Sequence, residues 1–354
     1  MTTKDSISSD PPIADPPAAG LSITDLRSTV GLEFGDTALV EAIAGGMAEV
    51  EAMLREVARS DVAFVDEAAS HLVQAGGKRF RPLFTLLAAQ FADGCTKDVV
   101  TAAAAVELVH LATLYHDDVM DEATMRRGAD SVNARWDNTI AILTGDFLFA
   151  HASRLVSDLG TDAARIIAET FGELVTGQMR ETVGPAADED PVEHYLSVID
   201  QKTGSLIATS GRYGGMFSGA DAAQTDALYR YGKIVGAAFQ ISDDVIDIAS
   251  PATESGKTQG TDLREGVRTL PMLYALAEEG GQGRLTDLLA GPITDDAEVD
   301  EALALLRDSQ GLKRARVTLA DYAEQARAEL AVLPECSARQ ALYAMADHLV
   351  ARTH

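Results

Sequence analysis

Two clusters of aspartates, each embedded in an apolar stretch with helical spacing, constrain this chain more than any other feature. The clusters share DDxxD spacing and consist of Asp117, Asp118 and Asp121 and, further along, Asp243, Asp244 and Asp247. Residues four apart on an α-helix point the same way, so each cluster crowds carboxylates onto one helix face. Such carboxylates repel one another and lose hydration unless a cation neutralises them. A single cluster is also compatible with a solvated acidic turn, but the repeat predicts two facing helices that hold divalent ions such as Mg2+ over one polyphosphate.

Composition points to a helical core and narrows the possible partners. Hydrophobic residues make up 46% of the 354 residues and aromatic residues only 5%, so Ala, Leu, Val and Ile dominate and suit close-packed helices. The formal net charge of −26 argues against non-specific binding to nucleic acid or to an anionic membrane surface. An anionic substrate must therefore be attracted by local arginines, lysines and bound cations.

Cysteine content and hydropathy predict a soluble, cytoplasmic protein. Cys95 and Cys336 are the two cysteines and lie far apart, which fits a reducing compartment and implies no disulfide framework. We expect no integral membrane segment, because no apolar run in the sequence looks long enough to span a bilayer. The N-terminus also lacks the apolar core of a signal peptide.

Helical periodicity predicts a single all-α domain over residues 31–354, preceded by a disordered tail. Residues 1–30 are rich in Pro, Ser, Asp and Ala and can bury little apolar surface. Asp36 is predicted to cap a helix that runs to about Arg59, and a second helix covers about 62–74. Further helical patterns are predicted over roughly 82–93, 98–125, 131–158, 161–182, 193–218, 221–249, 268–279, 297–308, 312–332 and 336–352. Strand-like alternation is almost absent, and no break resembles a domain linker.

A basic segment and a lone histidine are candidate phosphate ligands. The segment 76–82 reads Gly-Gly-Lys-Arg-Phe-Arg-Pro and holds three cations beside two glycines. Glycines let backbone N–H groups approach an anion, and the basic side chains can clamp phosphate, although a basic helix start is often plain surface. His110 lies seven positions before Asp117 on the same helix face. A lone histidine on an apolar helix is usually a core residue, but this one is close to the first aspartate cluster.

Three further segments carry polar groups that suit the same cavity. Lys202 and Thr203 offer a charge and a hydroxyl in the middle of a helical pattern, a signal that is weak in isolation. The glycine-rich, charged loop 256–266 is compatible with closure over bound phosphates or with a simple turn. The segment 177–181, Gly-Gln-Met-Arg-Glu, places polar residues late in an apolar helix.

These motifs together resemble the trans (all-E) isoprenyl diphosphate synthases, the polyprenyl synthetase family. GGKRFRP, HDDVMD followed by RRG, GQMRE, KTG, FQISDDVID and GKTQGTDLREG occur in that family's order and rough spacing, over roughly residues 36–350. The resemblance implies an all-helical bundle around a deep central cavity, usually as a homodimer. It also implies an enzyme that uses Mg2+ to ionise an allylic diphosphate and adds the resulting carbocation to isopentenyl diphosphate.

The resemblance also assigns roles to individual residues. Asp117 and Asp121, supported by Asp118, are expected to bind two of three Mg2+ ions, and Asp243 the third, with Asp244 and Asp247 completing that side. Residues expected to act on the allylic diphosphate are Arg126, Lys202, Gln240 and Lys257, with the Thr203 hydroxyl stabilising the developing cation. Residues expected to bind the diphosphate of isopentenyl diphosphate are Lys78, Arg81, His110 and Arg127. The released pyrophosphate removes the final proton, so no protein general base is expected.

One position departs from the family pattern. The family usually has EGKxTLP after the flexible loop, and here Val267 stands where the lysine is expected. Either the neighbouring Arg268 supplies the charge or one phosphate contact is missing. The departure concerns the loop and bears much less on the chemistry.

Small side chains before the first cluster predict a long product. Ala112 and Thr113 lie about one turn before Asp117, where short-chain members of the family carry an aromatic floor. An open channel there predicts an all-trans product of roughly C30–C50, of the kind used for quinone side chains. The alternative is a geranylgeranyl or farnesyl diphosphate synthase, if Phe147, Phe149 or another bulky side chain closes the channel sooner.

Three other classes fit the motifs less well. A class I terpene cyclase would carry an NSE-type second metal site and no GGKRFRP segment. A squalene or phytoene synthase would carry DxxxD pairs. A non-catalytic subunit of a heteromeric synthase tends to lose aspartates from these clusters, and all six are present here.

Overall fold

The computed structural model describes residues 36–249 and 259–353, and helices account for most of them. In chain order the helices are α1 (Thr37–Val57), α2 (Ala63–Gln74), α3 (Phe80–Ala88), α4 (Lys97–Met120), α5 (Val132–Arg135), α6 (Asn138–Asp158), α7 (Thr161–Val183), α8 (Pro191–Ile199), α9 (Ser205–Ser218), α10 (Ala222–Ala249), α11 (Thr261–Glu265), α12 (Leu270–Glu279), α13 (Arg284–Leu288), α14 (Asp296–Asp308), α15 (Gln310–Glu329) and α16 (Ser337–Ala351). The two strands are β1 (Met125–Arg126) and β2 (Ala129–Asp130), and short 3-10 turns cover Ala89–Phe91 and Leu330–Val332. The predicted all-α class is confirmed. The predicted tail, residues 1–30, lies outside the described residues.

The first helix begins where the sequence predicts. The Asp36 carboxylate accepts hydrogen bonds from the backbone N–H groups of Ala38 (2.9 Å) and Leu39 (3.3 Å), which satisfies donors that a helix start leaves unpaired. Its other oxygen accepts a hydrogen bond from the Ser337 hydroxyl at 2.6 Å, which ties α1 to α16. The cap therefore fixes both the start of α1 and its place in the bundle.

The central helices pack closely because small residues line their contacts. A Cβ added to Gly211 of α9 would lie 2.5 Å from the backbone oxygen of Leu228 on α10. A Cβ on Gly214 of α9 would lie 2.3 Å from the backbone oxygen of Thr85 on α3. Helix α4 is buried along most of its length, including Ala102 to Ala105. The two helices that carry the aspartate clusters, α4 and α10, therefore belong to the centre of the bundle.

The predicted helix over 98–125 is too long. Helix α4 ends at Met120, and Asp121 is its C-cap, whose N–H donates to the Asp117 carbonyl at 2.8 Å. The chain then forms a two-stranded antiparallel hairpin, β1–β2, whose turn has positive φ at Arg127 (55°) and Gly128 (77°). A turn with two consecutive left-handed residues is a hairpin geometry that periodicity does not reveal.

Two more helix predictions differ from the structure inside their spans. The span 131–158 is interrupted at Trp136, after which Asp137 caps α6 by accepting from the Ile140 N–H at 2.9 Å. The span 193–218 is helical but contains a π-turn at Asp200–Gly204 between α8 and α9. Helices α11 and α13 were not predicted as separate elements.

By length and mean hydropathy alone, α4 and α6 are long and apolar enough to cross a membrane, which corrects the expectation that no apolar run reaches that length. The most apolar window of α4 is 78% buried inside the protein, as expected for a core helix. That of α6 is only 39% buried, so α6 leaves apolar surface uncovered.

Candidate active site

One aspartate from each cluster lines a cavity of about 730 Å³. Asp121 from the end of α4 and Asp244 from α10 both line it. Lys202 and Thr203 of the π-turn and Gln240 of α10 line the same space. The structure therefore brings together residues from both DDxxD motifs, two of the residues assigned to the allylic diphosphate, and Thr203, which is assigned to the developing cation.

The first cluster is held in a costly electrostatic state. Burial raises the pKa of Asp117 to about 6, partly opposed by Lys202 and reinforced by Asp121. Asp118 is fully buried, and its Oδ1 accepts from Nε of Arg126 at 2.5 Å. Its Oδ2 is buried without a hydrogen-bond partner, and burial raises the pKa of this carboxyl as well. A buried, unpaired carboxylate oxygen beside a second carboxylate is the arrangement that a bound cation would relieve.

The second cluster is tied to three different parts of the chain. Oδ1 of Asp243 lies 2.9 Å from Nη1 of Arg352, just after α16. The carboxylate of Asp247 accepts from the backbone N–H groups of Thr261 (3.2 Å) and Asp262 (3.3 Å) at the start of α11.

Asp244 lies deepest in the second cluster. It accepts from the Tyr195 hydroxyl of α8 and, at 3.1 Å, from Nε2 of Gln240. Burial raises its pKa to about 7, although both hydrogen bonds oppose the shift.

Glu265, at the end of α11, lies between the two clusters. Burial raises its pKa, and the charges of Asp121 and Asp247 raise it further, while Arg126 lowers it. Glu265 is therefore near one aspartate of each motif.

The donor set suits a hard divalent cation, although the described side chains do not preform a metal cage. Carboxylate oxygens dominate both walls, and Mg2+ and Ca2+ prefer oxygen ligands. Among the described residues, no three His, Cys, Asp or Glu side chains stand close enough together to form a metal-binding group. Mg2+ is commonly held by one or two carboxylates, with water and substrate phosphates as the remaining ligands. The geometry therefore fits ions that bind together with a diphosphate.

Lys202 and Thr203 are presented by the π-turn Asp200–Gly204, which close backbone packing holds in place. A Cβ added to Gly177 of α7 would lie 2.6 Å from the backbone nitrogen of Lys202. A Cβ on Gly236 of α10 would lie 2.7 Å from the Gly204 Cα. The Lys202 ammonium forms an ion pair with Glu181 of α7. π-Turns often occur at functional sites, and here one carries a lysine whose charge lowers the pKa of Asp117 in the first cluster.

An ion-pair network braces the same turn from behind. Nζ of Lys233 on α10 lies 3.1 Å from Oδ2 of Asp200 and 3.1 Å from Oε1 of Glu173 on α7. The network joins α10, the π-turn and α7. Sequence analysis missed it because the three residues lie far apart in the chain.

Four arginines act electrostatically on His110, and one of them, Arg126, also contacts Asp118 of the first cluster. Burial lowers the pKa of His110 well below its usual value, and Arg81, Arg127 and Arg79 lower it further. Burial also lowers the pKa of Arg81 to about 10, and its Nε is buried without a partner. Arg126 is the fourth cation that acts on His110. We call the four arginines around His110 the arginine cage; it is a dense positive wall suited to phosphate oxygens.

Two members of the arginine cage, Arg79 and Arg127, are held by contacts with the protein itself. Arg79 is 2% exposed and contacts Glu51 (2.5 Å) and Glu107 (3.0 Å). It also donates to the Val73 carbonyl at 3.0 Å, so its donors serve the protein itself.

Arg127 donates to the carbonyl of Gly76 and has the left-handed φ noted above. A Cβ added to Gly77 would lie 2.6 Å from its Cζ, so this glycine leaves room for the guanidinium. Lys78 is exposed, and its charge adds to burial and to the charge of Arg352 in lowering the pKa of His348 on α16.

The loop after the second cluster is described only in part. Lys257 lies outside the described residues. Val267 is 42% exposed and lines the cavity where the family lysine is expected. Arg268 also lines the cavity, and its Nη2 donates to the Leu289 carbonyl at 3.1 Å. A cation is thus present at this wall, with part of its guanidinium engaged by the protein.

The residues predicted to set chain length lie away from this cavity. Ala112 is 1% and Thr113 9% exposed, and the Thr113 hydroxyl donates to the His110 carbonyl at 2.9 Å. Neither lines the cavity described above. Phe149 of α6 stacks on Phe171 of α7 with ring centroids 4.2 Å apart. The chain-length role of Ala112 and Thr113 stays a prediction.

Tyr195, Glu265 and Arg352 were missed by sequence analysis. Tyr195 lies seven residues before Lys202, so helical spacing alone places both on one face and is a usable signal. Arg352 gives no such signal, because it follows the last helix and reaches α10 only through the tertiary fold.

Comparisons with known proteins agree with this geometry. A family model described as polyprenyl synthetase matches residues 62–306. The nonaprenyl diphosphate synthase of Mycobacterium tuberculosis is 56% identical over 331 residues, 93% of this chain and 99% of that protein. The structure of geranylgeranyl pyrophosphate synthase from Corynebacterium glutamicum, complexed with calcium and isoprenyl diphosphate, is similar with a TM-score of 0.82 and 50% identity, covering 91% of this chain and 99% of that one. A decaprenyl diphosphate synthase from Rhodobacter capsulatus is similar with a TM-score of 0.80 and 35% identity, covering 90% of this chain and 99% of that one.

Proposed function

We infer that this chain, which belongs to the polyprenyl synthetase family, is a trans-prenyltransferase that condenses an allylic diphosphate with isopentenyl diphosphate between its two aspartate clusters. The observation that carries the inference is the cavity shared by Asp121 and Asp244, with Lys202 and Gln240 in its wall. Residues 31–354 are the proposed catalytic domain.

The aspartates would hold three Mg2+ ions, Asp117 and Asp121 two of them and Asp243 the third. When bound, Mg2+ neutralises the charge of the departing diphosphate as a Lewis acid. Oδ2 of Asp118, buried and unpaired, supports the first wall as a cation site. Asp243 would exchange its ion pair with Arg352 for the metal, which leaves that guanidinium near the incoming phosphates.

The chain's cations would bind and orient the two substrates. Lys202, Gln240 and Arg126 would hold the allylic diphosphate, together with Lys257. Lys202 must exchange Glu181 for a phosphate oxygen, a trade between two anionic partners. Thr203 lines the cavity, where its hydroxyl would stabilise positive charge on the ionised allyl group.

The second diphosphate would bind at the arginine cage. Arg81 and Arg127, with the neutral His110 as a hydrogen-bonding partner and Lys78 at the rim, are the proposed ligands. Because Arg79 is engaged by Glu51 and Glu107, it holds the wall rather than the substrate.

The product is a long all-trans polyprenyl diphosphate, which we propose to be roughly C30–C50 and to serve quinone side chains. The similarity to a nonaprenyl diphosphate synthase supports this length. The alternative is a C20 product, which the similarity to a geranylgeranyl pyrophosphate synthase structure keeps open.

The direct test supplies the purified protein with Mg2+, labelled isopentenyl diphosphate and a series of allylic primers, and sizes the dephosphorylated products. We expect chains beyond C20 and a loss of at least about a hundredfold in Asp117→Ala and Asp243→Ala. Asp162→Ala, an exposed aspartate of α7, is the matched control. Products that stop at C20 would reject the long chain, and full activity in either aspartate variant would reject the metal assignment.

We also propose a cytoplasmic homodimer that binds neither nucleic acid nor membrane and joins through α6 and α7. Both helices expose apolar side chains, including Leu143 (57%), Met179 (63%) and Val183 (82%). A net charge of −26 disfavours an anionic membrane as the cover, whereas a second copy offers the same apolar face. Sedimentation velocity should give a dimer that Leu143→Glu converts to a monomer; a monomeric wild type at micromolar concentration would reject this assembly.

A further inference from the structure

Helix α8 contacts the second aspartate cluster, and the π-turn that follows it carries Lys202, whose charge lowers the pKa of Asp117 in the first cluster. Tyr195 and Lys202 lie seven residues apart, close to two helical turns, so they share one face of this helical run. Both side chains line the cavity. Lys202 acts on Asp117 of the first cluster, and the Tyr195 hydroxyl donates to Asp244 of the second. One short element therefore carries a side chain that acts on each of the two aspartate clusters.

The three aspartates of the second cluster are held in unequal ways. Asp244 is 3% exposed, and both of its oxygens accept hydrogen bonds from side chains, Oδ2 from Tyr195 and Oδ1 from Gln240. Asp243 forms an ion pair with the Arg352 guanidinium, and its side chain is 33% exposed. Asp244 is thus less able than Asp243 to turn toward a metal ion without leaving buried donors unpaired.

Gln240 gains its orientation from the same contacts. Its Nε2 donates to Asp244 at 3.1 Å, which fixes which end of the amide faces Asp244. An amide can otherwise present either its oxygen or its nitrogen. The order of contacts runs from Tyr195 through Asp244 to Gln240, from α8 to α10.

We propose that Tyr195 is a positioning residue: its hydroxyl fixes Asp244 as an anchor for the Gln240 amide, and metal capture on α10 falls to Asp243. This inference rests on the proposed function, in which Gln240 holds the allylic diphosphate. It goes further by separating Asp244 from Asp243 in role. The wall that binds isopentenyl diphosphate is not part of this chain of contacts.

The test is Tyr195→Phe, which removes one hydroxyl and keeps the ring. We expect kcat to fall about tenfold to a hundredfold, as for a lost hydrogen bond to a charged group, and KM for the allylic diphosphate to rise. KM for isopentenyl diphosphate should stay unchanged. Matched controls are Tyr213→Phe and Tyr231→Phe, buried tyrosines whose hydroxyls donate to the carbonyls of Ala163 (2.7 Å) and Leu342 (2.6 Å). These controls should lose stability and keep both KM values.

Asp244→Asn provides the second arm and does not depend on the tyrosine variant folding well. It should resemble Tyr195→Phe in size, and the double variant should be no worse than the poorer single variant, because both act through one contact. Asp243→Asn should be far more damaging. An Asp244→Asn variant as inactive as Asp243→Asn, or a Tyr195→Phe variant with the kinetics of the controls, would overturn the inference.

The same set of variants separates this inference from the proposed function. An active Asp243→Asn variant would reject the metal assignment whatever Tyr195 does. An inactive Asp243→Asn variant together with wild-type kinetics in Tyr195→Phe would reject only the positioning role.

Discussion

Gly177→Ala tests whether close backbone packing positions Lys202. The added Cβ would lie 2.6 Å from the backbone nitrogen of Lys202 and 2.9 Å from the Gln201 Cβ. Ordinary contacts begin near 3.4 Å, so α7 and the π-turn must separate by roughly 0.8 Å. Overpacking costs about 1–3 kcal/mol, while alanine in place of glycine returns about 1 kcal/mol of helix propensity. We expect a net loss of about 0–2 kcal/mol in the free energy of unfolding.

Activity should suffer more than stability in Gly177→Ala. A displacement approaching 1 Å at a substrate-positioning group can reduce the rate about a hundredfold. The expected result is a fall of about ten- to a hundredfold in kcat/KM for the allylic diphosphate, measured at saturating isopentenyl diphosphate. Urea unfolding gives the stability in parallel.

Gly172→Ala is the matched control on the same helix. A Cβ there meets nothing within 4 Å, so only the propensity gain remains and this variant should be stabilised by about 0.5–1 kcal/mol with normal kinetics. If Gly177→Ala behaved like Gly172→Ala in both assays, the packing argument for Lys202 would be wrong.

Three further predictions concern pH, folding and product length. Burial raises the pKa of Asp117 from 3.8 to about 6 and that of Asp244 from 3.8 to about 7. The metal-free folded protein therefore retains protons on these two carboxyl groups that the unfolded chain releases. The contribution of the two groups to stability is full below about pH 4 and is lost as pH rises to about 7. Thermal unfolding in a chelator should show this decline, Mg2+ should reverse it, and a metal-free protein that gains stability over this range would contradict it. Arg79→Met should lose about 3 kcal/mol in urea unfolding because it leaves buried Glu107 with the more distant Arg127 guanidinium, at 3.8 Å, as its counter-charge, whereas the exposed Arg55→Met should lose less than about 1 kcal/mol. Ala112→Phe should shorten the product, and an unchanged length by chromatography would place the floor of the channel elsewhere.

The helices and the facing aspartates are predictable because they depend on local pattern. Apolar residues at helical spacing identify α1, α4 and α10, and the cap at Asp36 is visible from its residue type alone. The repeated DDxxD spacing predicts a shared cavity because carboxylates on apolar helices need a common counter-charge. These features need no knowledge of which helices are neighbours.

The features that sequence analysis missed depend on distant contacts. The π-turn at Asp200–Gly204 follows from packing against Gly177 and Gly236, which no window around the turn contains. The basic segment 76–82 was read as one clamp, yet Arg79 is turned inward to Glu51 and Glu107. Only the tertiary structure shows which cation of this segment is bound by the protein itself and which are left for a substrate.

The arginine cage limits what can replace its histidine. Burial and the charges of four arginines hold the pKa of this imidazole well below its usual value, so it is neutral at physiological pH. Before a ligand arrives it therefore adds a hydrogen-bonding group without adding to the repulsion among its neighbours. A lysine at position 110 would bring a fifth positive charge into the same buried volume. A neutral amide would keep a donor there at little electrostatic cost. At position 110, the positive charge that the neighbouring arginines tolerate therefore limits the possible side chains more than the number of hydrogen-bond donors does.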